Sequence, residues 1–235
     1  MARRKRTFNK EKNQAQQEDD VLVDVMQVTE GAGDFVERNQ GLLFGGLVAL
    51  VVLIGGYLAY NNFYVQDKQK TALESMWTAE NQFAKDSFAL AISNPGGGNI
   101  GFADIADNYG VADASNAAAY YTAVGYLNLG EYDAAIAYLK DLDADGQLLP
   151  ILKNGLLGDA YSEKGEFDTA LGYYEDAADA TGNEVLTPYY LYKLGMLNEK
   201  QGNKAAANKA YSRMKNDFPN STQGRDADKY IRRTS

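Results

Sequence analysis

The string LNLGEYDAAIAYL at residues 127–139 returns as SEKGEFDTALGYY at residues 162–174. A chain that repeats at an interval of this size commits itself to an array. Each copy is one supersecondary unit that cannot bury its apolar side alone, and stacked copies build the core. Gly130, Gly165 and Gly202 stand 35 and 37 residues apart, each where a helical pattern needs a turn. The middle copy has Leu157, Gly158 and Tyr161 ahead of its turn glycine and Phe167, Ala170, Tyr174 and Ala177 after it. The first copy has Tyr126 before the turn and Tyr132, Ala135, Leu139 and Leu142 after it, with Thr122 and Ala123 in the Leu-Gly place. The third has Leu194 and Gly195, then Ala207, Tyr211 and Pro219, with Asn198 in the place of Tyr161.

This pattern resembles the tetratricopeptide repeat, a helix–turn–helix unit of about 34 residues. Its small residues let two antiparallel helices cross closely, its large residues fill the gap between units, and its proline stops the second helix. Three units are expected, at 116–149, 151–184 and 188–221. A weaker copy precedes them, since IADNYG at 105–110 parallels MKNDFP at 214–219. There, Phe102, Ile105, Ala106 and Tyr109 predict one helix face. Leu73, Met76, Trp77, Phe83 and Ala84 predict another on a longer helix, with the NPGGG of 94–98 as the loop between. Residues 62–115 thus read as a linker helix and a degenerate repeat. Four helix pairs exceed the minimum of about three for an array. A capping helix with a polar outer face is expected over 222–235.

In front of the repeats stands GLLFGGLVALVVLIGGYLAY, Gly41 to Tyr60, without one charged side chain. A helix of roughly 20 residues at ~1.5 Å rise spans ~30 Å, the thickness of a bilayer hydrocarbon core. A buried helix of a soluble protein normally keeps one polar face, and this stretch has none. A signal peptide would have an apolar region of about 7–15 residues nearer the N-terminus, with a small-residue cleavage site behind it. We therefore expect an uncleaved transmembrane helix over 40–61. Arg3, Arg4, Lys5, Arg6, Lys10, Lys12 and Arg38 precede it and Lys68 and Lys70 follow it. The positive-inside rule then puts the N-terminus in the cytoplasm and the repeats on the far side. Gly41, Gly45 and Ala49 are spaced by four, as are Gly55 and Ala59. Such rows either let another membrane helix approach closely or reflect the general frequency of Gly in membrane helices. The expected fold is all-α: a single N-terminal transmembrane helix followed by a tetratricopeptide-repeat α-solenoid.

Residues 1–19 are polar and mixed in charge, and are expected to remain an unfolded cytoplasmic tail. Residues 20–39 differ. Val21, Leu22, Val25, Met26, Val28, Ala32, Phe35 and Val36 trace a helical stripe flanked by Asp20, Asp24, Glu30, Asp34 and Glu37. Membrane-surface helices carry Lys and Arg on the polar face. An acidic one suits a basic protein surface better.

The formal net charge is −9, from 32 acidic and 23 basic residues, so a phosphate backbone is repelled and no nucleic-acid partner is expected. The chain has no His and no Cys, which removes thiol nucleophiles, imidazole bases and the usual zinc and copper ligands. NPGGGN lacks the Lys-Ser/Thr of a P-loop and the strand before a dinucleotide site. DLDADG at 141–146 lacks the bidentate Glu of a calcium loop, whose twelfth position is Leu152. No catalytic residue, metal or cofactor is expected, and the chain does not read as an enzyme.

Arrays of this kind bind partners along the concave face of their first helices. By register that face holds Tyr120, Val124, Leu127 and Asn128, then Leu152, Gly155, Asp159 and Glu163, then Tyr189, Tyr192, Met196 and Glu199. Some of these tyrosines equally suit the interior of a repeat. Arrays that grip acidic peptide tails use Lys and Asn here, whereas this chain has Tyr120, Gly155 and Tyr192 at one key position. An extended or partly folded apolar segment fits better.

The layout resembles the YfgM-like ancillary subunits of the SecYEG translocon. DFVERNQG before the apolar stretch and GGYLAYNN at its end carry the local likeness. The leader is longer than in that family and its Arg/Lys cluster is additional. The resemblance implies a single-pass protein of the bacterial inner membrane with a periplasmic repeat domain. It would work beside SecYEG and a membrane-anchored PpiD-type chaperone, with chaperone-like contact to emerging exported polypeptides. The competing reading is a structural subunit of another cell-envelope complex, in secretion, division or respiration.

Overall fold

A computed structural model describes residues 37–110, 114–179 and 183–235. The tail at 1–19 and nearly all of the acidic helix expected at 20–39 lie outside the described residues. The chain divides into two units, Met1–Asn62 and Phe63–Ser235.

The described part of the first unit is dominated by helix α1, Gln40–Tyr60, whose 21 residues carry no acidic or basic side chain in either end turn. None of its residues is buried. It is long and apolar enough to cross a membrane. Among the described residues no atom lies within 4 Å of a Cβ built on Gly41, Gly45 or Gly55, so no contact among them requires a glycine there.

Among the described residues the regular structure of the second unit is all helical apart from one isolated bridge, Gly96 to Asn99. Helices α2 (Gln66–Phe83), α3 (Phe88–Ser93) and α4 (Phe102–Asn108) lead into the array. Three helix pairs follow: α5 (Ala114–Leu129) with α6 (Tyr132–Asp141), α7 (Leu149–Glu163) with α8 (Phe167–Asp179), and α9 (Leu186–Lys200) with α10 (Lys204–Asp217). Helix α11 (Thr222–Thr234) closes the chain, its first turn capped by Ser221 Oγ, which accepts from the Gly224 N–H at 2.9 Å.

The three turns are built alike. Gly130, Gly165 and Gly202 have φ of 77°, 80° and 80°, the left-handed region in which only glycine is unstrained. After each, the next N–H reaches back five residues: Glu131 to the Tyr126 carbonyl at 2.9 Å, Glu166 to Tyr161 at 2.9 Å, and Asn203 to Asn198 at 2.8 Å. This is a Schellman close, which satisfies carbonyls that the helix end would leave open.

Within a repeat the helices meet through glycine and a ring. A Cβ on Gly158 would lie 2.5 Å from the Tyr174 ring, and one on Gly195 would lie 2.3 Å from the Tyr211 ring. The first repeat solves the same crossing with Ala123 and Leu139, both fully buried. A larger residue on the first helix meets a smaller one on the second, which conserves volume. Ala135, Ala170 and Ala207, fully buried, hold the equivalent place on the second helices. The array shares one core, in which each fully buried Leu or Ile, such as Ile151 and Leu191, contributes on the order of 1.5–3 kcal/mol.

Ahead of the array the structure departs from the expected helix pair. Three helices stand there, because Phe88 to Ser93 form α3 between the two expected pieces. A second core gathers Ala72, Met76, Ala79, Phe102 and Ile105. Phe102 stacks on Tyr121 at 4.9 Å, and Phe83 meets both rings edge-on at 6.1 and 5.3 Å. The buried face of α2 is Ala72, Ser75, Met76 and Ala79; of the expected face Met76 is buried and Phe83 packs on this core, but Leu73 and Trp77 are not part of it. Leu73 and Trp77 point to solvent, 53% and 70% exposed. The small residues lie on the packed side because the neighbouring rings already fill the space.

Candidate polypeptide-binding groove

Helix α9 presents Tyr189, Tyr192, Lys193, Met196 and Lys200 along one stripe, three to four residues apart. With Ser162 and Tyr174 of the preceding repeat and Leu197 they line a hollow of about 530 Å³. It is aromatic and aliphatic, with Lys193 and Lys200 among its lining. Tyr189 and Met196 are its exposed large side chains, at 37% and 45%.

Lys193 organises the hollow. Its Nζ lies 2.6 and 2.7 Å from the two Asp159 oxygens and 5.0 Å from the Tyr189 ring centroid. Asp159 also accepts from the Tyr174 hydroxyl at 2.7 Å. Burial opposes the Lys193 charge, but Asp159 and the Tyr189 hydroxyl outweigh it and hold the ammonium above its ordinary range. Burial pushes the Tyr174 phenol up, and the Asp159 carboxylate adds to that. At neutral pH Lys193 therefore stays charged against Asp159, beside a neutral Tyr174 phenol. Lys200 lies 4.5 Å from the Phe167 ring centroid and makes no ion pair among the described residues.

The other expected groove residues separate into distinct roles. Tyr192 is half-buried, 5.0 Å from Tyr230 of α11, so the capping helix covers part of it. Glu199 belongs to the same cap: it accepts from the Tyr211 hydroxyl at 3.0 Å and from Arg233 at 2.6 Å. The Arg233 hydrogen bond holds the Glu199 carboxyl below its usual range. Asp159 is spent on Lys193 and Tyr174 and is not a free ligand group. Glu163 is exposed at the end of α7 and does not line the hollow. Tyr120 and Val124 are half-buried on α5, and the exposed Asn128 donates to the Val124 carbonyl at 2.8 Å. They share a helix face but not the hollow.

Gly155 is a correction. It was expected on the open face, but a Cβ there would lie 1.9 Å from the Tyr190 ring, so it is where α7 and α9 touch. Tyr190 is fully packed, and burial, with the nearby Asp159 charge behind it, raises its phenol.

Lys193 was missed by reading only the apolar members of the stripe. A signal for it existed. Lys193–Asp159, Arg213–Asp179 and Arg233–Glu199 are opposite charges 34 residues apart, and all three pairs close. In an array with a period of about 34 residues, that spacing puts the partners on neighbouring units. No group of His, Cys, Asp or Glu among the described residues could hold a metal.

Residues 155–186 and 189–221 each match a tetratricopeptide repeat family. The chain carries tetratricopeptide repeats. The matches fall on the two repeats whose helix crossing is a glycine under a tyrosine ring. Repeats of this type form protein–protein interaction scaffolds, so a protein partner follows from their presence. No curated protein and no solved structure matches the chain.

Proposed function

We propose that this chain is a membrane-anchored scaffold whose first-helix face binds an extended apolar polypeptide segment, and that it does so at the SecYEG translocon. The observation that carries the binding reading is the hollow of Tyr189, Tyr192 and Met196 on α9. Its exposed atoms are mainly apolar, and its central cation is already neutralised by Asp159. An apolar side chain gains there by leaving water, while an acidic tail finds only Lys200 to pair with. Supporting the anchored reading is α1, long and apolar enough to cross a membrane. The excess of Lys and Arg before α1 supports an N-terminus in the cytoplasm and repeats in the periplasm.

The choice of translocon rests on the resemblance of the layout, DFVERNQG and GGYLAYNN to YfgM-like proteins. In that reading residues 20–37 and α1 dock on SecYEG, and the groove meets exported chains or a PpiD-type chaperone. The test is purification of the full chain in gentle detergent with mass spectrometry of co-purifying proteins. SecYEG should be recovered with the intact chain and reduced when residues 20–37 are deleted, while the repeats stay folded by circular dichroism. Recovery of a different envelope complex at native abundance, and never SecYEG, would replace the translocon with that complex.

A further inference from the structure

Between α1 and α2 the residues Asn61–Val65 form a single π-helical turn. Its Phe63 is 78% exposed and its Tyr64 46%. These two are the first residues of the unit that carries the repeats.

What meets the two rings follows from length. The 21 residues of α1, at ~1.5 Å each, fill the ~30 Å hydrocarbon core of a bilayer. The headgroup layer beyond that core is about 5–7 Å deep on each side. Such a depth takes up roughly four or five residues of helix, and the five that follow α1 are Asn61–Val65. Their composition suits that layer. The turn reads NNFYV, with two amides, two aromatic rings and no charge. Rings beside polar groups are what the boundary between lipid and water selects. Charged side chains begin only after it, with Asp67, Lys68 and Lys70. Adjacent residues of a helix point roughly a quarter of a turn apart. Exposure of both rings therefore fits a layer that surrounds the helix better than a partner on one side of it.

The same turn is tied to the repeat unit. Lys68 Nζ lies 5.2 Å from the Tyr64 ring centroid and 5.0 Å from that of Tyr109. It also donates to the carbonyl of Asn108, the last residue of α4, at 2.7 Å. One ammonium group shared by two rings thus joins the turn to α4.

We propose that Phe63 and Tyr64 dock the repeat unit on the phospholipid headgroup layer of the leaflet it faces. This rests on α1 spanning the membrane. The repeat unit then has a lipid contact of its own, the Lys68 clasp carries that contact into α4, and the array starts at the bilayer surface.

The test uses the full chain with Trp77→Phe, which removes its one tryptophan, in vesicles of phosphatidylethanolamine and phosphatidylglycerol. A single tryptophan is returned by Phe63→Trp or, separately, by Tyr64→Trp. Part of the lipid is brominated on its acyl chains, either near the headgroup or near the chain end, and the loss of tryptophan emission reads depth. Leu50→Trp, at the middle of α1, is the control. Phe63→Trp and Tyr64→Trp should each lose most emission to bromine near the headgroup, and Leu50→Trp to bromine near the chain end. Two positions keep the test decisive if one substitution disturbs the turn. Quenching of Leu50→Trp alone would overturn the proposal and leave a protein as what meets the rings. Strongest quenching of all three by bromine near the chain end would also overturn it, since the turn would then lie in hydrocarbon. Failure to quench even Leu50→Trp would remove the membrane anchor itself.

Discussion

Glycine appears in helix α1 and in the first helices of the repeats for opposite physical reasons. In α1 no atom of the described residues lies within 4 Å of the missing Cβ of Gly41, Gly45 or Gly55. In α7 and α9 the missing Cβ of Gly155, Gly158 and Gly195 is where a tyrosine ring sits, 1.9 to 2.5 Å away. The same residue is permissive in one region and required by packing in the other. A glycine's role is therefore read from what approaches it, and in α1 that role is left to a partner or to chance.

The sharpest way to break this contrast is substitution at the ring contacts. Gly195→Ala forces the fully buried Tyr211 ring aside, and its hydroxyl is tied to Glu199, so the site cannot relax cheaply. Overpacking of this kind costs ~1–3 kcal/mol, and we expect the upper end. Gly45→Ala should leave the thermal unfolding of the repeats unchanged. Equal destabilisation by both would contradict the contrast between the two sets of glycines. Ala170→Leu tests the second helix of the same crossing, where a fully buried methyl leaves no room for a branched side chain. A loss of ~1–2 kcal/mol by chemical denaturation is expected, and an unchanged midpoint would displace the repeat register.

Smaller effects come from the turns and from protons. Gly165→Ala keeps the packing but puts a Cβ at φ of 80°, which should cost about 1 kcal/mol. The phenols of Tyr174, Tyr190 and Tyr211 are raised, by burial first and by the Asp159 or Glu199 carboxylate next. A raised group gives up its proton sooner in the unfolded chain than in the folded one. Stability is thus full below about pH 10 and declines above it. Lys193, also raised, adds to that decline. Melting temperatures should be flat from about pH 7 to 9 and drop beyond about 10. Glu199 acts in the other direction: its carboxyl is lowered, so its contribution is present above about pH 4.3 and fades as acid is added.

Much of this architecture was legible because a repeat states its rule more than once. The glycine turns, the Gly–Tyr crossings and the capping helix all follow from spacing that recurs at 35 and 37 residues. The region before the array has no second copy to check against. There the apolar pattern put Leu73 and Trp77 inside, when Ala72, Ser75 and Ala79 are buried beside Met76. Size complementarity decided that face, and hydrophobicity alone does not carry it. The groove was half legible for a similar reason. Tyr189 and Met196 are exposed on the predicted stripe, but Asp159 and Glu199 are consumed by cations from neighbouring units. Spotting that requires looking across the repeat, not along one helix.

The central claim is that the α9 hollow contacts an extended apolar polypeptide. A photo-crosslinking amino acid placed at Met196 of the full chain, in its native membrane, reads this most directly. The account predicts adducts with partner polypeptides that disappear when Tyr189 and Tyr192 are both replaced by Ser, with the repeats still folded by circular dichroism. No adduct at Met196, with strong adducts from the same probe at the exposed Lys209 on α10, would contradict the account and move the contact surface off the α9 hollow.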